Sequence, residues 1–249
     1  MCILFISRKK NSSWPLLIAT NRDEFYNREF DAPGVHWKGY PAIYAGKDKT
    51  GGGSWLGINT FGVCVAILNR NTKVEDKNFE SRGNLVINAL KFKSAVEAKN
   101  KVIQNFQKKY KYFNLFIADI NDAYLIKYDN FKLDTFSVPY GKSIIDNFNL
   151  NDNNSLKQTL NKNYFYEAPH PIPEKNQFDG WSKLLSINSP NKSEKVNSIY
   201  VKDRQNNYGT VCSSIIGLPK IKTNTKGIFW LYRKSGDSPT AFKKLKLFI

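Results

Sequence analysis

The segment that most constrains the fold of this chain is residues 62–68, where six consecutive apolar residues follow a glycine. A strand with one face in water alternates apolar and polar residues, and this segment does not alternate. We therefore predict a strand that is covered on both faces, as in a layered fold. No apolar run approaches the roughly 18–20 residues that cross a bilayer, so we expect no membrane span.

The order of the predicted elements indicates the architecture. Further strands are predicted at 3–7, 15–20, 42–45, 54–58, 113–119, 123–128, 131–138, 198–201, 210–218 and 227–233. Helices are predicted from Ser81, from Ser94 with Glu97 at the capping-box spacing, over 155–164 and near 178–187. This order favours an α+β fold of two mainly antiparallel sheets packed together with helices outside. A chain of 249 residues that is 41% hydrophobic can bury one large core, so residues 1–249 are predicted to form a single domain.

Cysteine usage and the start of the chain indicate the compartment. The three cysteines (Cys2, Cys64 and Cys212) are odd in number and lack CxxC spacing, which argues against a disulfide framework and a metal site. Residues 1–10 begin apolar and turn basic, the reverse of a signal peptide. Residues 51–53 are glycines without the Lys-Ser/Thr of a phosphate loop, so no cofactor is expected. We predict a reduced, cytoplasmic protein.

The charge of +17 raises the question of a polyanion partner. Lysine supplies 31 of the 38 basic residues, whereas base and phosphate recognition favours the bidentate guanidinium of arginine. The lysines are also scattered along the chain. A solvated basic surface is therefore the favoured interpretation, and nucleic-acid binding remains an alternative that depends on charge alone.

Cys2 is the first candidate for chemistry, because removal of the initiator Met1 would give it a free α-amino group. That amine, with a pKa of about 7.7–8.0, could accept the proton of a thiol whose ordinary pKa is about 8.5. One residue would then supply both nucleophile and base. The α-ammonium and Arg22 are expected to favour the thiolate. The alternative is a small hydrophobic residue at the start of a strand.

Polar residues at strand ends give further candidates. The run Asn21-Arg22-Asp23-Glu24 follows an apolar strand and forms either a site or a solvated turn with a local ion pair. Asn69 ends another apolar strand, where its amide could donate to an oxyanion. Trp55 either lines a pocket or fills core. His36 and His170 are the only histidines, which leaves few options for a Ser-His-Asp or Cys-His arrangement.

Taken together, these segments resemble the NRDE family, the transport and Golgi organisation protein 2 family. The resemblance rests on Met1-Cys2, residues 21–26, 45–48, 52–57 and 81–83, and the late segment 208–214. It implies an N-terminal nucleophile hydrolase-like fold, a four-layer αββα sandwich. It also implies catalytic roles for Cys2 as nucleophile, for Arg22 or Asp23 in orienting the amine, and for Asn69 at the oxyanion, with Asn21 and Trp55 as substrate-binding candidates.

Two departures from the family pattern concern groups that donate hydrogen bonds. Family members commonly show Tyr-Gly-Leu-Ser-Asn, where this chain has Tyr140-Gly141-Lys142-Ser143-Ile144. They commonly have Arg after Tyr-Gly-Thr, where this chain has Val211. Both lost groups would hold a substrate amide or carboxylate, so the expected hydrolysis is weakened, altered in substrate, or lost.

Two functions follow from this resemblance. The first is a cysteine amidohydrolase that cleaves a linear, non-peptide C–N bond of a small-molecule amide. The second is a non-catalytic carrier of a hydrophobic ligand, acyl or haem-like, in the same cleft. The sequence leaves the substrate and the oligomeric state open.

Overall fold

The computed structural model describes residues 2–37, 43–71, 79–188, 192–220, 227–235 and 239–247, with backbone alone for 192–194. In chain order the strands are β1 (Ile3–Arg8), β2 (Leu16–Phe25), β3 (Phe30–Gly34), β4 (Ile43–Asp48), β5 (Leu56–Asn59), β6 (Cys64–Asn69), β7 (Phe113–Ala118), β8 (Ala123–Asp129), β9 (Lys132–Ser137), β10 (Gly141–Ile145), β11 (Lys202–Asp203), β12 (Tyr208–Leu218), β13 (Phe229–Lys234) and β14 (Lys243–Lys244). The helices are α1 (Gly83–Ala89), α2 (Ala95–Gln104), α3 (Leu156–Glu167) and α4 (Asp179–Leu184). Short 3₁₀ turns occupy Pro173–Lys175 and Lys192–Asn197.

These elements form two compact units. The first contains the residues up to Asn27 together with Tyr140–Leu247, and the second contains Arg28–Pro139. The prediction that residues 1–249 form one domain stays a prediction. No helix in the described part of the chain is both long and apolar enough to cross a membrane.

The first unit is an antiparallel sheet in the order β10-β1-β2-β12-β13-β14, with β11 paired to β12. Its central strands β2 and β12 pair over ten residues with one irregularity between Thr210 and Cys212. One apolar cluster joins this sheet to α3 and α4, with Phe165 and Trp181 from the helices fully buried against β1 residues such as Phe5. This face of the sheet is therefore covered by helices.

The second unit is an antiparallel sheet in the order β3-β4-β5-β6-β7-β8-β9. Its apolar cluster joins Val65 and Ile67 of the sheet to Val86 of α1 and Ala98 of α2. Residues 63–68 are all buried, so the predicted doubly covered strand is confirmed. The α+β class with two antiparallel sheets is confirmed as well.

Some boundaries differ from the sequence-based expectation. Residues 198–201 are buried but do not form a strand, because the Val201 amide donates to the Thr210 side chain and the Tyr200 amide to the Ile187 carbonyl. Ser81 does not cap α1, whose preceding residue is Arg82. Ser94 caps α2 and accepts from the Glu97 amide, as predicted. The predicted strand at 42–45 begins outside the described residues and continues to Asp48.

Candidate active site

Cys2 immediately precedes β1 in the first unit and lies against the backbone of β2. Its Sγ accepts a hydrogen bond from the Asp23 amide at 3.3 Å and donates to the Asp23 carbonyl at 3.6 Å. Ile3 pairs with Asn21 in the ladder, so Cys2 lies beside Arg22. Cys2 is partly exposed, whereas Cys64 and Cys212 are buried. The structure therefore brings together Cys2, Arg22 and Asp23, which the sequence analysis had linked.

Asp23 is fixed from several sides. Its Oδ2 lies 2.9 Å from Nζ of Lys157 on α3, and its Oδ1 accepts from the Thr210 hydroxyl at 2.6 Å. The Asp23 carbonyl also accepts from the Tyr208 hydroxyl at 3.2 Å. The side chains of Asp23 and Lys157 are both almost fully buried. A buried carboxylate that bonds to a cation through one oxygen and to a hydroxyl through the other has a fixed orientation. This orientation also holds in place the Asp23 backbone amide and carbonyl that contact the Cys2 sulfur.

Arg22 lies on β2, between Cys2 on one side and Cys212 of β12 on the other. It is opposite Cys212 in the β2–β12 ladder and is almost fully buried. Its Nη2 lies 3.9 Å from Oε2 of Glu24. The polar run at the end of β2 is therefore largely buried structure with an internal ion pair, rather than a solvated turn.

The electrostatics of Cys2 differ from the expectation of a ready-made thiolate. Burial raises the pKa of the Cys2 thiol, the Asp23 carboxylate raises this pKa further, and Arg22 lowers it by a smaller amount. The thiol is therefore neutral at pH 7 as long as the chain retains Met1. Nucleophilic attack would need a base, and the α-amine that Met1 removal exposes is the candidate, although Met1 lies outside the described residues.

Asn21 faces the helices of the first unit and is fully buried. Its Nδ2 donates to the carbonyls of Leu185 and Ile199 at 3.0 and 2.8 Å. These bonds tie the end of α4 and the segment before β11 to the sheet. The Asn21 amide thus has a structural task, and its predicted contact with substrate stays a prediction.

The remaining two predicted site residues belong to the second unit. Asn69 is the last residue of β6, and its side chain is exposed. Trp55 is half-buried, with its ring edge-on to Phe30 at 5.5 Å between centroids. A Cβ atom on Gly46 would lie 2.3 Å from the Trp55 ring, so the glycine makes room for the indole. The oxyanion role of Asn69 and the ligand contact of Trp55 stay predictions.

Other family-like segments of the second unit build its turns. The Asp48 carboxylate accepts from the Thr50 and Gly51 amides and from Nε of Arg28 at 2.9 Å. A Cβ atom on Gly53 would lie 2.3 Å from the backbone carbon of Gly83, so two glycines allow this turn to contact the start of α1. These motif residues have packing roles.

Two residues of the first unit were missed by the sequence analysis. Lys157 was one of many lysines, and nothing in its local pattern indicates burial against a carboxylate. Asn147 is also buried, and neither its Oδ1 nor its Nδ2 has a hydrogen-bond partner among the described residues. β10 ends at Ile145, which pairs with Leu4, so Asn147 and Cys2 each lie two residues beyond the same rung of the ladder. A buried amide with both groups unpaired is costly, and a ligand at this end of the sheet would satisfy it.

Metal-binding geometry is not found in the described part of the chain, where no group of three His, Cys, Asp or Glu side chains could hold an ion. His170 bonds to the Ser7 hydroxyl at 2.9 Å, and burial lowers the pKa of this histidine. His36 bonds to the Ala32 carbonyl. Both histidines therefore have local structural partners.

Comparisons with known proteins place the chain in a family. A model of the family described as "Transport and Golgi organisation 2" matches residues 1–225. The transport and Golgi organization 2 homolog of Mus musculus is 30% identical over 130 residues, which are 49% of this chain and 47% of that protein. The match thus spans about half the length of this relative.

Solved structures show the same fold at low sequence identity. Penicillin V acylase from Agrobacterium tumefaciens has a TM-score of 0.51 and 13% identity, with 94% of this chain and 83% of that chain covered. A variant of conjugated bile acid hydrolase from Clostridium perfringens has a TM-score of 0.54 and 13% identity, with 98% and 92% covered. These matches confirm the predicted N-terminal nucleophile hydrolase-like fold class, with two mainly antiparallel sheets and helices.

Proposed function

Because this chain belongs to the transport and Golgi organisation 2 family, with a fold shared by an acylase and a hydrolase, we propose that it is an N-terminal cysteine amidohydrolase. Its substrate is a small molecule with a linear, non-peptide amide bond, and its location is the cytoplasm. The observation that carries the proposal is the contact of the partly exposed Cys2 sulfur with the backbone of Asp23, whose carboxylate is fixed by Lys157 and Thr210.

The proposed reaction begins with removal of Met1, which leaves Cys2 with a free α-amine. This amine takes the thiol proton, and the thiolate attacks the substrate carbonyl carbon. The tetrahedral oxyanion needs donors, for which the candidates are Asn69 and the Asn147 amide, which has no partner among the described residues. The C–N bond then breaks, and the α-ammonium gives its proton to the leaving amine.

The second half of the reaction releases the acyl group. Water attacks the thioester on Cys2, the α-amine takes a proton from this water, and the thiol is restored when the acid leaves. The net change is amide plus water to carboxylic acid plus amine. Arg22, which lies beside Cys2, favours each anionic stage electrostatically.

Intact-mass spectrometry and a substrate panel test this proposal. We expect the purified protein to lack Met1 and to hydrolyse at least one member of a series of N-acyl 4-nitroanilides with aliphatic or aromatic acyl groups. Cys2→Ala should abolish turnover, while Cys64→Ala, which removes a buried sulfur of the second unit, should retain it. Retention of Met1, or equal turnover in the two variants, would rule out the mechanism.

The carrier function is the second candidate, and it is favoured by the two departures from the family pattern. Ile144 and Val211 are both buried, so neither position offers a donor to a polar substrate. A carrier would retain an acyl or haem-like molecule through purification, detectable by extraction and mass spectrometry or by visible absorbance. Turnover of the panel together with an empty extract would eliminate this candidate.

A further inference from the structure

Arg233 on β13 is a buried arginine that lies at the centre of a group of polar residues away from Cys2. It is opposite Ser213 in the β12–β13 ladder. Ser213 follows Cys212, the residue of β12 that pairs with Arg22. Because successive side chains of a strand point to opposite faces, Arg233 and Cys212 lie on opposite faces of the sheet. Arg233 contacts the end of α4, where its Nη2 donates to the Leu185 carbonyl at 2.8 Å.

The guanidinium of Arg233 is buried, and no described residue places a carboxylate against it. Its other bonds go to the hydroxyls of Ser213 and Ser186 at 3.1 and 2.9 Å, and no ion pair joins it to any acidic group among the described residues. Burial lowers the pKa of Arg233 to about 10, which still leaves it charged at pH 7. Two of its five N–H groups have no acceptor among these residues. A buried cation with no counter-charge among the described residues is unfavourable, and a bound anion would offset this cost.

A pocket of about 600 Å³ opens onto this guanidinium, within the size range of small-molecule sites. Lys183 and Lys244, both exposed, are among its lining residues. Asp179 is the one acidic residue among the described lining residues, where cations therefore exceed anions by three to one. Phe242 lies under the guanidinium at 4.5 Å from its ring centroid, and Phe178 adds a second aromatic wall.

We propose that this pocket, which we call the Arg233 pocket, binds a small organic anion. The carboxylate or phosphate group of the ligand is held by Arg233, with Lys183 and Lys244 adding attraction at the rim. Its apolar part packs against Phe178 and Phe242. The site is on the helix-covered face of the sheet, so it is separate from Cys2 and does not depend on the proposed hydrolysis.

Isothermal titration of the full chain with phenyl phosphate, phenylacetate and benzyl alcohol tests the proposal. We expect saturable binding of at least one anion at one site, no binding of the neutral alcohol, and weaker binding at higher salt. Comparison of the two anions identifies the preferred head group. Cys2→Ala should bind as the wild type does, which separates this site from the catalytic proposal.

Charge reversal at the rim identifies the pocket. Lys183→Glu and Lys244→Glu should each weaken anion binding by about tenfold, since both lysines are exposed and their replacement spares the fold. Lys10→Glu, an exposed reversal outside the pocket lining, is the matched control and should leave binding nearly unchanged. Equal weakening by all three variants would show attraction by net charge alone and would overturn the proposal. Absence of binding by both anions would also overturn it.

Discussion

At the level of single residues, the three thiols differ in exposure and in their proton affinity. Burial raises the pKa of Cys64 and of Cys212 to about 12, and both side chains are inaccessible. Iodoacetamide reacts with exposed thiolates, so we expect Cys2 to be labelled well before the other two. Because the pKa of Cys2 is also raised, its labelling should be slow at pH 7 and should accelerate as the pH rises. Peptide mapping by mass spectrometry checks this, and equal labelling of all three would identify Cys2 as a core residue.

The buried ion pair between Asp23 and Lys157 makes a separate prediction about stability. Lys157→Met leaves the Asp23 carboxylate buried without its cation, which should lower the free energy of unfolding by about 3–5 kcal/mol. Lys175→Met, at an exposed position, is the control and should change it little. The double variant Asp23→Asn/Lys157→Met should be less destabilised than the sum of its two single variants. Strict additivity in urea unfolding would mean that the two charges do not interact.

These residues also mark the limit of sequence interpretation. Cys2, Arg22 and Asp23 could be linked from the sequence because they resemble a known motif and lie at strand ends. Lys157 and Asn147 could not, since each lies in a lysine- and asparagine-rich segment where most such side chains are solvated. Their importance comes from burial, which depends on residues far away in the chain.

At the level of helices, α2 and α3 both begin at a capping serine, but the two serines have different surroundings. Ser94 accepts from the Glu97 amide, whereas the buried Ser155 accepts from the Gln158 amide and also donates to Asp146. Ser94→Ala should therefore cost about 1 kcal/mol, the usual value for a lost cap. Ser155→Ala should cost about 2–3 kcal/mol, because it also removes a bond to a buried carboxylate. Denaturant midpoints of the two variants test this, and equal losses would contradict it.

The strands show which elements a sequence pattern can predict. Apolar runs such as β1 and β6 were predicted well because their burial is continuous. β3 and β10 were missed, since β3 is only partly buried and contains Pro33, while β10 begins with exposed and polar residues. Residues 198–201 have a strand-like composition, but their amides bond to a side chain and a loop carbonyl. Partners distant in the chain decide such cases.

At the level of the whole molecule, salt acts on the exposed charges that give the net charge of +17, whereas alkaline pH acts on the thiols buried inside the chain. Exposed lysines are screened by salt, so they contribute little specific stability. The contribution of the buried thiols to stability depends on pH instead, because each thiol loses its proton when the chain unfolds at alkaline pH. The pH dependence of the free energy of unfolding above pH 8 therefore contains a contribution from the buried thiols.

Cys64 in the second unit makes this alkaline response measurable. An unfolded thiol loses its proton near its ordinary pKa of about 8.5, whereas the folded chain keeps the Cys64 proton up to about pH 12. Between these values the unfolded state binds fewer protons than the folded state. The free energy of unfolding should therefore fall by about 1.4 kcal/mol per pH unit for this residue, and this part of the stability is fully present below pH 8.5.

Cys64→Ala should remove that slope, although it also lowers stability at pH 7 by leaving a small cavity. Ile58, which pairs with Cys64 across β5 and β6, provides the control, because Ile58→Val truncates the same core without removing a titrating group. Urea unfolding at a series of pH values from 7 to about 11 compares the three proteins, a window that spans the unfolded thiol's titration. We expect Ile58→Val to keep the wild-type slope and Cys64→Ala to show a shallower one. Parallel curves for all three would mean that Cys64 ionises as readily in the folded chain as in the unfolded chain, and that the β5–β6 region admits water.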